Sequence, residues 1–153
     1  MDIRLAKPTD VPGISRLVIR LTHFFTVDPR GFGAEDFLSS LAPPEIMKLV
    51  TASNFRYYVG LQGDEIVGAV AIRDHTHLFH LFVDESLHGQ GKGALLWNHA
   101  KAAALDAQNT GRFTVNSTVF GVPVYESFGF KAVGPKTETK GIAYVPMVLS
   151  QKN

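Results

Sequence analysis

The sequence predicts a fold of the α/β (α+β) class, in which a mixed and mostly antiparallel β-sheet is flanked by helices. Apolar runs at residues 55–61 and 66–72 flank a Gln-Gly-Asp-Glu segment at 62–65, which is typical of a tight hairpin turn. A third apolar run, residues 77–83, follows a second short connection at 74–76, so three antiparallel strands succeed one another. With the segments described below, we expect a sheet of about 6–7 strands and about 4 helices.

The first third of the chain shows a strand pattern followed by helical periodicity. Residues 3–6 form a short strand candidate, and Thr9 or Asp10 is placed to cap the helix that follows. The apolar stripe of this helix recurs at i, i+3, i+4 and i+7, at Ile14, Leu17, Val18 and Leu21. Two further short helices are expected at residues 34–41 and 43–50, separated by a Pro-Pro pair.

The second half of the chain begins with a helix that starts after a run of glycines and is ended by Asn109 and Gly111. Beyond it, the pattern predicts strands at 113–116, 130–133 and 142–149, a short helix at 122–128 and a polar loop at 134–141. Pro146 interrupts the last strand and cannot donate to a ladder, so the sequence predicts an edge position or a bulge there. An exposed edge at this point would suit a homodimer.

Composition and charge narrow the classes of protein to which the chain can belong. A length of 153 residues suits one domain spanning 1–153, and 45% hydrophobic with 19% charged residues is typical of a globular protein. The net charge of +1 gives no field that would attract nucleic acid or a membrane surface. The absence of cysteine excludes disulfides and thiolate-held metals. No apolar run approaches the ~20 residues of a membrane span and the N-terminus does not resemble a signal peptide, so we expect a cytoplasmic protein.

Three glycines, Gly89, Gly91 and Gly93, lie between the third apolar run and the long helix. A Gly-rich turn between a strand and a helix leaves several backbone N–H groups without partners, beside the positive end of the helix dipole. These groups form a site for phosphate oxygens, because no side chain keeps a diphosphate away from the backbone. On its own, the pattern is also compatible with a plain tight turn.

A dinucleotide-binding fold of the Rossmann type is the alternative that the glycines alone would suggest. It predicts a parallel sheet and an acidic residue ~20 residues after the turn. The hairpin-joined strands before the turn argue against that fold. Asp106 follows the glycines, but it is expected within the helix rather than at a strand end, where it cannot reach a ribose.

Two further motifs follow the long helix. A strand ends in an Asn-Ser pair at residues 116–117, and a short helix contains Pro-Val-Tyr at 123–125, shortly before a Gly-Phe step at 129–130. Together with the glycine turn, these segments resemble the GCN5-related N-acetyltransferase (GNAT) family over nearly the whole chain.

The glycine turn carries the other half of this resemblance. The family's acyl-CoA motif is Arg or Gln, two residues, Gly, one residue, then Gly or Ala. Residues 88–93 read His-Gly-Gln-Gly-Lys-Gly, so Gly91 and Gly93 match the motif. His88 departs from it, which weakens any role for that side chain but leaves the backbone cradle intact.

The resemblance implies a splayed central strand pair and a direct, ternary-complex transfer of acetyl from the cosubstrate acetyl-CoA to a primary amine of a small molecule or peptide. Backbone groups near Phe82 and Val83 would hold the pantetheine arm, and the phenol of Tyr125 would stabilise or protonate the departing thiolate. The residues expected to bind acetyl-CoA are Phe82, Val83, His88, Gly89, Gln90, Gly91, Lys92, Gly93 and Asn116. The alternative function is a non-catalytic acyl-CoA-binding sensor or regulatory module of the same fold.

A general base is needed because an ammonium group at neutral pH must lose a proton before it attacks. Histidine suits this role, and His75, His77 and His80 lie on or beside the third strand. Period-2 alternation places His75 and His77 on one face and His80 on the other. By the family resemblance, His77 falls where several members carry a Glu or His that acts through water, so we expect His77 to be the base, with His80 second. Ordered water alone, or histidines without a role, are the alternatives.

The same histidines also raise the question of a metal site. His75 and His77 stand at i and i+2 of a strand and could share an ion. No carboxylate lies at a recognisable ligand spacing, so we expect no metal.

The acceptor site is expected in the segments that vary most with function, residues 23–50 and the loop 134–141. His23, Phe24 and Phe25 form an unusually aromatic stretch for a loop and are the candidate substrate-binding residues. The alternative is a helix end folded onto the core. Together with Phe32, their side chains suggest a partly apolar pocket, while the net charge selects neither an anionic nor a cationic acceptor.

Overall fold

The computed structural model describes residues 1–107 and 109–150, and this part of the chain contains eight strands and five α-helices. The strands are β1 Asp2–Leu5, β2 Phe55–Gln62, β3 Glu65–Arg73, β4 His77–Val83, β5 Arg112–Ser117, β6 Lys131–Ala132, β7 Thr137–Thr139 and β8 Ile142–Ser150. The α-helices are α1 Val11–Arg20, α2 Glu35–Ser39, α3 Pro43–Thr51, α4 Lys92–Asp106 and α5 Val122–Ser127. No helix in this part of the chain combines the length and apolarity that a membrane crossing requires.

The strands form one mixed sheet in the order β1-β2-β3-β4-β5-β8-β6, with β7 added beside β8. Neighbouring strands are antiparallel except β4 and β5, which are parallel. The predicted fold class is therefore confirmed, with strand and helix numbers close to those expected. The prediction of a polar loop at 134–141 was wrong in part, because the middle of this segment forms β7, which pairs with the start of β8.

Helices cover both faces of the sheet, and each face has its own apolar core. On one face, α1 and α3 bury Ile14, Leu17 and Ile46 completely, in agreement with the stripe predicted for α1. On the other face, Trp97 of α4 packs with Phe113 of β5. The two cores hold the sheet between helices on both sides, which leaves the ends of the strands and the loops to form a site.

The start of α1 differs in detail from the prediction. The Asp10 carboxylate accepts hydrogen bonds from the Arg4 guanidinium at 2.7 and 3.0 Å and from the Lys7 N–H at 2.7 Å. It therefore holds the short 3-10 turn Pro8–Asp10 that precedes α1, and does not cap α1 through its side chain. The Arg4 hydrogen bonds hold the pKa of Asp10 below its usual value.

Helix α4 lies close to the sheet because glycine occupies β3 where the two cross. A Cβ added at Gly68 would lie 2.7 Å from Cδ1 of Leu96, a separation that side chains do not adopt. A Cβ at Gly60 of β2 would lie 3.3 Å from Cδ2 of the same leucine. This packing fixes the first turns of α4 relative to the end of β4.

β4 and β5 pair only at their beginnings, with His77 opposite Thr114 and Leu78 opposite Val115. Beyond these residues the two strands diverge, although β4 continues to Val83. The splayed central strand pair that the family resemblance implies is therefore present. Within the described residues, the edge of β4 that faces β5 has no strand partner beyond Leu78, and it borders the site described below.

β4 contains a β-bulge at Phe79, because the pairing with β3 skips this residue. The extra residue changes the alternation of side chains along the strand. The rings of His77 and His80 both contact the Phe79 ring, with centroids 6.4 and 4.7 Å away, and lie on the same face of the sheet. The prediction that these two histidines lie on opposite faces was wrong, since period-2 alternation does not continue through a bulge.

Pro146 does not lie on a free edge. It is opposite Asn116 of β5, and its carbonyl accepts the Val133 N–H at 2.9 Å on the other side. The nitrogen and the carbonyl of one residue in an antiparallel strand face the same side, so the proline nitrogen faces the gap between β6 and β7. Of the two predicted alternatives, the edge position was wrong, and the pairing of β8 with β5 shows no bulge at Pro146. The edge proposed for a dimer is covered, and β1, β6 and β7 are the outer strands of the described sheet.

Candidate active site

A cavity of about 730 Å³ opens where β4 and β5 diverge. It is enclosed by the free edge of β4, the Gly-rich turn and first turn of α4, the start of β8, α5 and the loop after α1. Its lining residues are Leu21, Phe24, Phe25, Phe37, Phe79, His80, Leu81, Phe82, Val83, Leu87, His88, Gly89, Gly91, Lys92, Gly93, Ala94, Asn116, Thr118, Phe120, Gly121, Val124, Tyr125, Ser127, Phe128, Ile142, Ala143 and Tyr144. Most of the residues predicted from sequence are therefore brought together in one space.

The Gly-rich turn lines this cavity with bare backbone. Gly89 and Gly91 have φ angles of +78° and +76°, a left-handed conformation that favours glycine, and a Cβ added at either would meet no atom within 4 Å. Within the described residues, none of the N–H groups of residues 89–94 donates a well-formed hydrogen bond. These donors lie at the positive end of the 15-residue helix α4 and beside open space, an arrangement that fits a diphosphate.

The free edge of β4 presents further backbone groups to the cavity. The Asp84 N–H donates to the Val67 carbonyl of β3 at 2.8 Å, and backbone groups along an antiparallel strand alternate in direction. The N–H and C=O of Phe82 therefore face β3, whereas those of Leu81 and Val83 face the cleft. The backbone groups near Phe82 and Val83 that were expected to hold the pantetheine arm are therefore those of Leu81 and Val83, while Phe82 lines the same cavity.

His88 occupies the position at which the family motif has Arg or Gln. Its Nε2 lies 2.7 Å from the Val83 carbonyl oxygen, so this nitrogen carries the hydrogen and donates it. The imidazole ring also lies 5.4 Å from the Phe24 ring and 6.2 Å from the Phe120 ring. His88 therefore links the end of β4 to the loops that close the cavity.

Tyr125 reaches the cavity from α5. Its ring packs against Phe128 and Phe130, with centroids 6.0 and 5.8 Å away. Its hydroxyl makes no hydrogen bond within the described residues. The hydroxyl is not fully buried either, because Trp97 Nε1 is the only side-chain nitrogen or oxygen of these residues that is both fully buried and without a hydrogen bond. Since Tyr125 lines the cavity, its hydroxyl is accessible from there. Burial raises the pKa of the Tyr125 phenol well above its ordinary value. The phenol therefore keeps its proton at physiological pH and can donate it to an anion.

His80 lines the cavity and is tied to a buried tyrosine. Its Nδ1 lies 3.1 Å from the Tyr57 hydroxyl. Burial raises the pKa of Tyr57, and the described residues offer its proton no other acceptor. Tyr57 therefore donates to Nδ1, which places the hydrogen of His80 on Nε2, the nitrogen left to the cavity. Burial also lowers the pKa of His80 to about 3, so the ring is neutral at physiological pH.

Burial of His80 predicts a fold that loses stability in acid. The pKa of this group is about 3 in the folded chain and near its ordinary 6.5 in the unfolded chain, so only the unfolded chain binds the proton between these values. Stability is complete above about pH 6.5 and falls as the pH falls toward about 3, with a loss on the order of 2 kcal/mol by about pH 5. We expect His80→Gln, which cannot titrate, to lose about 2 kcal/mol less stability than the wild type between about pH 7.5 and about pH 5, as measured by guanidinium unfolding. Equal pH dependence in the two proteins would contradict this account.

His77 lies outside the cavity, at the point where β4 and β5 still pair. Its Nδ1 is 2.7 Å from the Thr114 hydroxyl oxygen. Burial, and to a lesser extent the charge of Arg73, lower its pKa. His75 precedes β4 in a turn, with φ of +59°. Within residues 1–107 and 109–150, no group of three or more His, Cys, Asp or Glu is placed to hold a metal ion.

The remaining predicted residues divide into two groups. Those that line the cavity are Phe24, Phe25, Lys92, Gly93 and Asn116. Gln90 does not, and its side-chain amide donates to the Ser86 carbonyl at 3.2 Å. His23 also lies outside: its Nε2 is 3.9 Å from a Glu85 carboxylate oxygen, and its ring lies against Phe24.

Sequence reasoning missed several aromatic residues of the cavity. They come from α2, β4, the loop after β5 and β8, and are Phe37, Phe79, Phe120 and Tyr144. Phe120 reaches Phe24 from the far side of the cleft, with ring centroids 4.7 Å apart. No local pattern marks these residues, because only the sheet topology and the bulge in β4 bring them together.

Known structures with the same architecture were found by comparison. The PaiA N-acetyltransferase of Thermoplasma acidophilum, in complex with coenzyme A, is 12% identical, with a TM-score of 0.77 over 98% of each chain. A GCN5-related N-acetyltransferase from Rhodopseudomonas palustris is 16% identical, with a TM-score of 0.76 over 98% of this chain and 95% of that one. An aminoglycoside 6'-N-acetyltransferase complexed with coenzyme A is 17% identical, with a TM-score of 0.71 over 97% and 96% of the two chains. At these identities, the likeness establishes the fold.

The family is shown by comparing the sequence with models of protein families. No curated protein matches the sequence significantly. Residues 25–151, which are most of the chain, match a family model described as an acetyltransferase (GNAT) domain. The splayed strands, the bare glycine turn and the cavity between them agree with this match. The chain therefore belongs to the GNAT family of acetyltransferases.

Proposed function

We propose that this chain transfers an acetyl group from acetyl-CoA directly to a primary amine, with both substrates bound at once. The observation that carries the proposal is the row of unpartnered N–H groups at residues 89–94, which borders the same cavity as the Tyr125 phenol and the free edge of β4. Family membership supports it, as does the coenzyme A bound in two of the similar structures.

In this proposal, backbone groups hold most of the acetyl-CoA. The N–H groups of residues 89–94 bind the diphosphate, with the positive end of α4 and the Lys92 ammonium beside them. The pantetheine arm extends along the free edge of β4, where the Leu81 and Val83 backbone groups face the cleft. Asn116, at the end of β5, borders the arm from the opposite side.

The acyl transfer itself needs few side chains. The amine nitrogen attacks the thioester carbonyl carbon, so that a C–N bond forms and the C–S bond breaks. As the carbonyl oxygen gains negative charge, the Leu81 N–H is positioned to stabilise it. The departing thiolate takes a hydrogen bond or a proton from Tyr125, which keeps its proton because burial raises its pKa. Holding both reactants in one cavity supplies the rest of the rate acceleration, because the amine and the thioester are already close and oriented.

We assign the loss of the amine proton to ordered water rather than to a histidine. His80 has a pKa of about 3 and carries its hydrogen on the cavity side, so it is suited to donate a hydrogen bond and not to accept an ammonium proton. His77 does not line the cavity. The apolar surroundings favour the neutral amine over the ammonium form, which eases the loss of this proton.

The pH dependence of the rate tests this assignment. We expect His77→Ala and His80→Gln to leave the acidic limb of kcat/KM against pH where it lies in the wild type, because the limb then reports the amine and neither imidazole. Initial rates measured across the pH range at saturating acetyl-CoA would show this. A limb that disappears or moves in His77→Ala would establish that residue as the base.

A CoA-release assay tests the function as a whole. Because the chain has no cysteine, a thiol-reactive dye reports only the thiol of released CoA. The purified chain, acetyl-CoA and a panel of amines should release CoA in proportion to the amine acetylated, as checked by mass spectrometry of the product. Binding of acetyl-CoA without turnover of any amine would indicate a sensor module instead, and absence of acetyl-CoA binding would contradict both.

A further inference from the structure

Part of the cavity is lined by an unbroken series of rings, which we call the aromatic wall: Phe37, Phe25, Phe82, His80 and Phe79. The centroids of successive rings are 6.2, 5.3, 4.9 and 4.7 Å apart, mostly in edge-to-face contact. Such packing makes a large, rigid and apolar surface. The wall ends at the bulge in β4, close to where β4 and β5 separate.

The wall has no negative charge to offer a ligand. None of the cavity-lining residues in the described part of the chain is Asp or Glu. Of the carboxylates in the adjoining segments, Asp28 and Glu35 accept nearby backbone N–H groups at 2.8 and 3.1 Å. Asp84 accepts hydrogen bonds from Ser86 and from Arg20. A second ammonium group on the acceptor would therefore be desolvated without a counter-ion, which is strongly unfavourable.

The wall has no positive charge either. Within the described residues, the only Lys or Arg that lines the cavity is Lys92, which belongs to the glycine turn where the phosphates are expected. His80 is neutral, because burial lowers its pKa to about 3. A free amino acid, which carries a carboxylate next to its amine, would find no partner for that carboxylate along the wall.

We infer that the acceptor is an arylalkylamine: a monoamine whose amino group is carried by an apolar, aromatic body without further charge. This inference rests on the proposed function, since it names the acceptor of that reaction. The aromatic ring of such an amine can pack edge-to-face against the rings of the wall and bury its apolar surface there. The Nε2 hydrogen of His80 provides one neutral polar contact within the wall, which suits a hydroxyl or ether oxygen on the ring better than a charged group.

A comparison of matched amines tests the inference. We would measure kcat/KM of the full chain at saturating acetyl-CoA with 2-phenylethylamine, spermidine and kanamycin, and with phenylalanine and its amide, which differ in the carboxylate. The expected result is a preference of roughly 100-fold for 2-phenylethylamine over spermidine and kanamycin, and of roughly 10-fold or more for phenylalaninamide over phenylalanine.

Variants of the wall connect the preference to the structure. Phe37→Ala should raise KM for 2-phenylethylamine roughly 10-fold while kcat and the Kd for acetyl-CoA stay within about twofold. Phe37→Leu, which keeps an apolar contact with Phe25, should raise KM less. Phe32→Ala is the matched control, because Phe32 lies in the same region, is 64% exposed and does not line the cavity. A KM unchanged in both Phe37 variants would overturn the placement of the acceptor on the wall.

The failure of this inference is distinguishable from the failure of the proposed function. A chain that binds acetyl-CoA and acetylates spermidine, kanamycin or phenylalanine better than 2-phenylethylamine would overturn the inference and leave the function in place. A chain that acetylates none of these amines but another amine of the wider panel would likewise overturn only the inference, and a chain that acetylates no amine at all would overturn both.

Discussion

Replacing Gly91 by alanine should weaken acetyl-CoA binding by roughly 10- to 100-fold. The added methyl group would extend into the open space beside the N–H groups of residues 89–94, where nothing lies within 4 Å of it in the free protein. It would hold the diphosphate away from at least one of these donors. A hydrogen bond to a charged group contributes about 1.5–3 kcal/mol, and each 1.4 kcal/mol is about a tenfold change in affinity. Isothermal titration calorimetry of both proteins with acetyl-CoA measures the effect.

The β2–β3 turn offers a matched control for this variant. Gly63 also has a positive φ, +59°, and a Cβ added there also meets nothing within 4 Å, but the residue lies outside the cavity. Alanine at either position must adopt the left-handed conformation, at a cost of about 1–2 kcal/mol of folding stability. We expect Gly63→Ala and Gly91→Ala to lose similar stability and only Gly91→Ala to lose affinity. Wild-type affinity in Gly91→Ala would show that the diphosphate binds elsewhere.

Replacing Tyr125 by phenylalanine should lower kcat by roughly 100- to 1000-fold, a range typical for the loss of a general acid. The ring would keep its contacts with Phe128 and Phe130, so only the hydroxyl is lost. Because the hydroxyl meets the thiolate that forms during the reaction, the Kd for acetyl-CoA should stay within about twofold of the wild type. Steady-state rates and calorimetry on the same preparation separate the two quantities.

Tyr58→Phe controls for the general effect of removing a buried phenol. Tyr58 is buried on the same face of the sheet as Tyr125, with its ring 4.9 Å from that of His99, and does not line the cavity. Its variant should retain the wild-type kcat. A kcat that is unaltered in Tyr125→Phe would remove this phenol from the mechanism, and an equal fall in both variants would indicate a packing effect instead.

The parts of the fold that repeat a local pattern could be predicted from the sequence. Strand β4 has the predicted bounds, 77–83, because its mostly apolar run is continuous and is bounded by turn residues. The stripe of α1 is buried as expected, since its spacing alone defines one face of a helix. The glycine turn could be predicted because a left-handed backbone conformation restricts Gly89 and Gly91 to glycine, and that restriction is visible in the sequence.

The features that depend on how distant segments meet could not be predicted. One extra residue at Phe79 brings His77 and His80 to the same face, and a bulge leaves no mark in the periodicity. The proline at position 146 suggests an edge strand, yet β8 is an inner strand and the proline nitrogen faces the gap between β6 and β7. The aromatic wall joins Phe37 of α2 to β4 only through the tertiary fold. The low pKa of His80 likewise follows from burial against Tyr57, which no spacing in the sequence reveals.

The central claim, that bare N–H groups of the glycine turn hold the diphosphate of coenzyme A, is tested most directly by NMR of the backbone amides. A titration of the ¹⁵N-labelled chain with coenzyme A, and separately with pantetheine, which lacks the phosphates, would follow the amide signals of Gly89, Gly91 and Gly93. We predict large downfield proton shifts of these signals with coenzyme A, much smaller ones with pantetheine, and no change at Gly63. Saturation with coenzyme A that leaves the three signals in place would contradict the account.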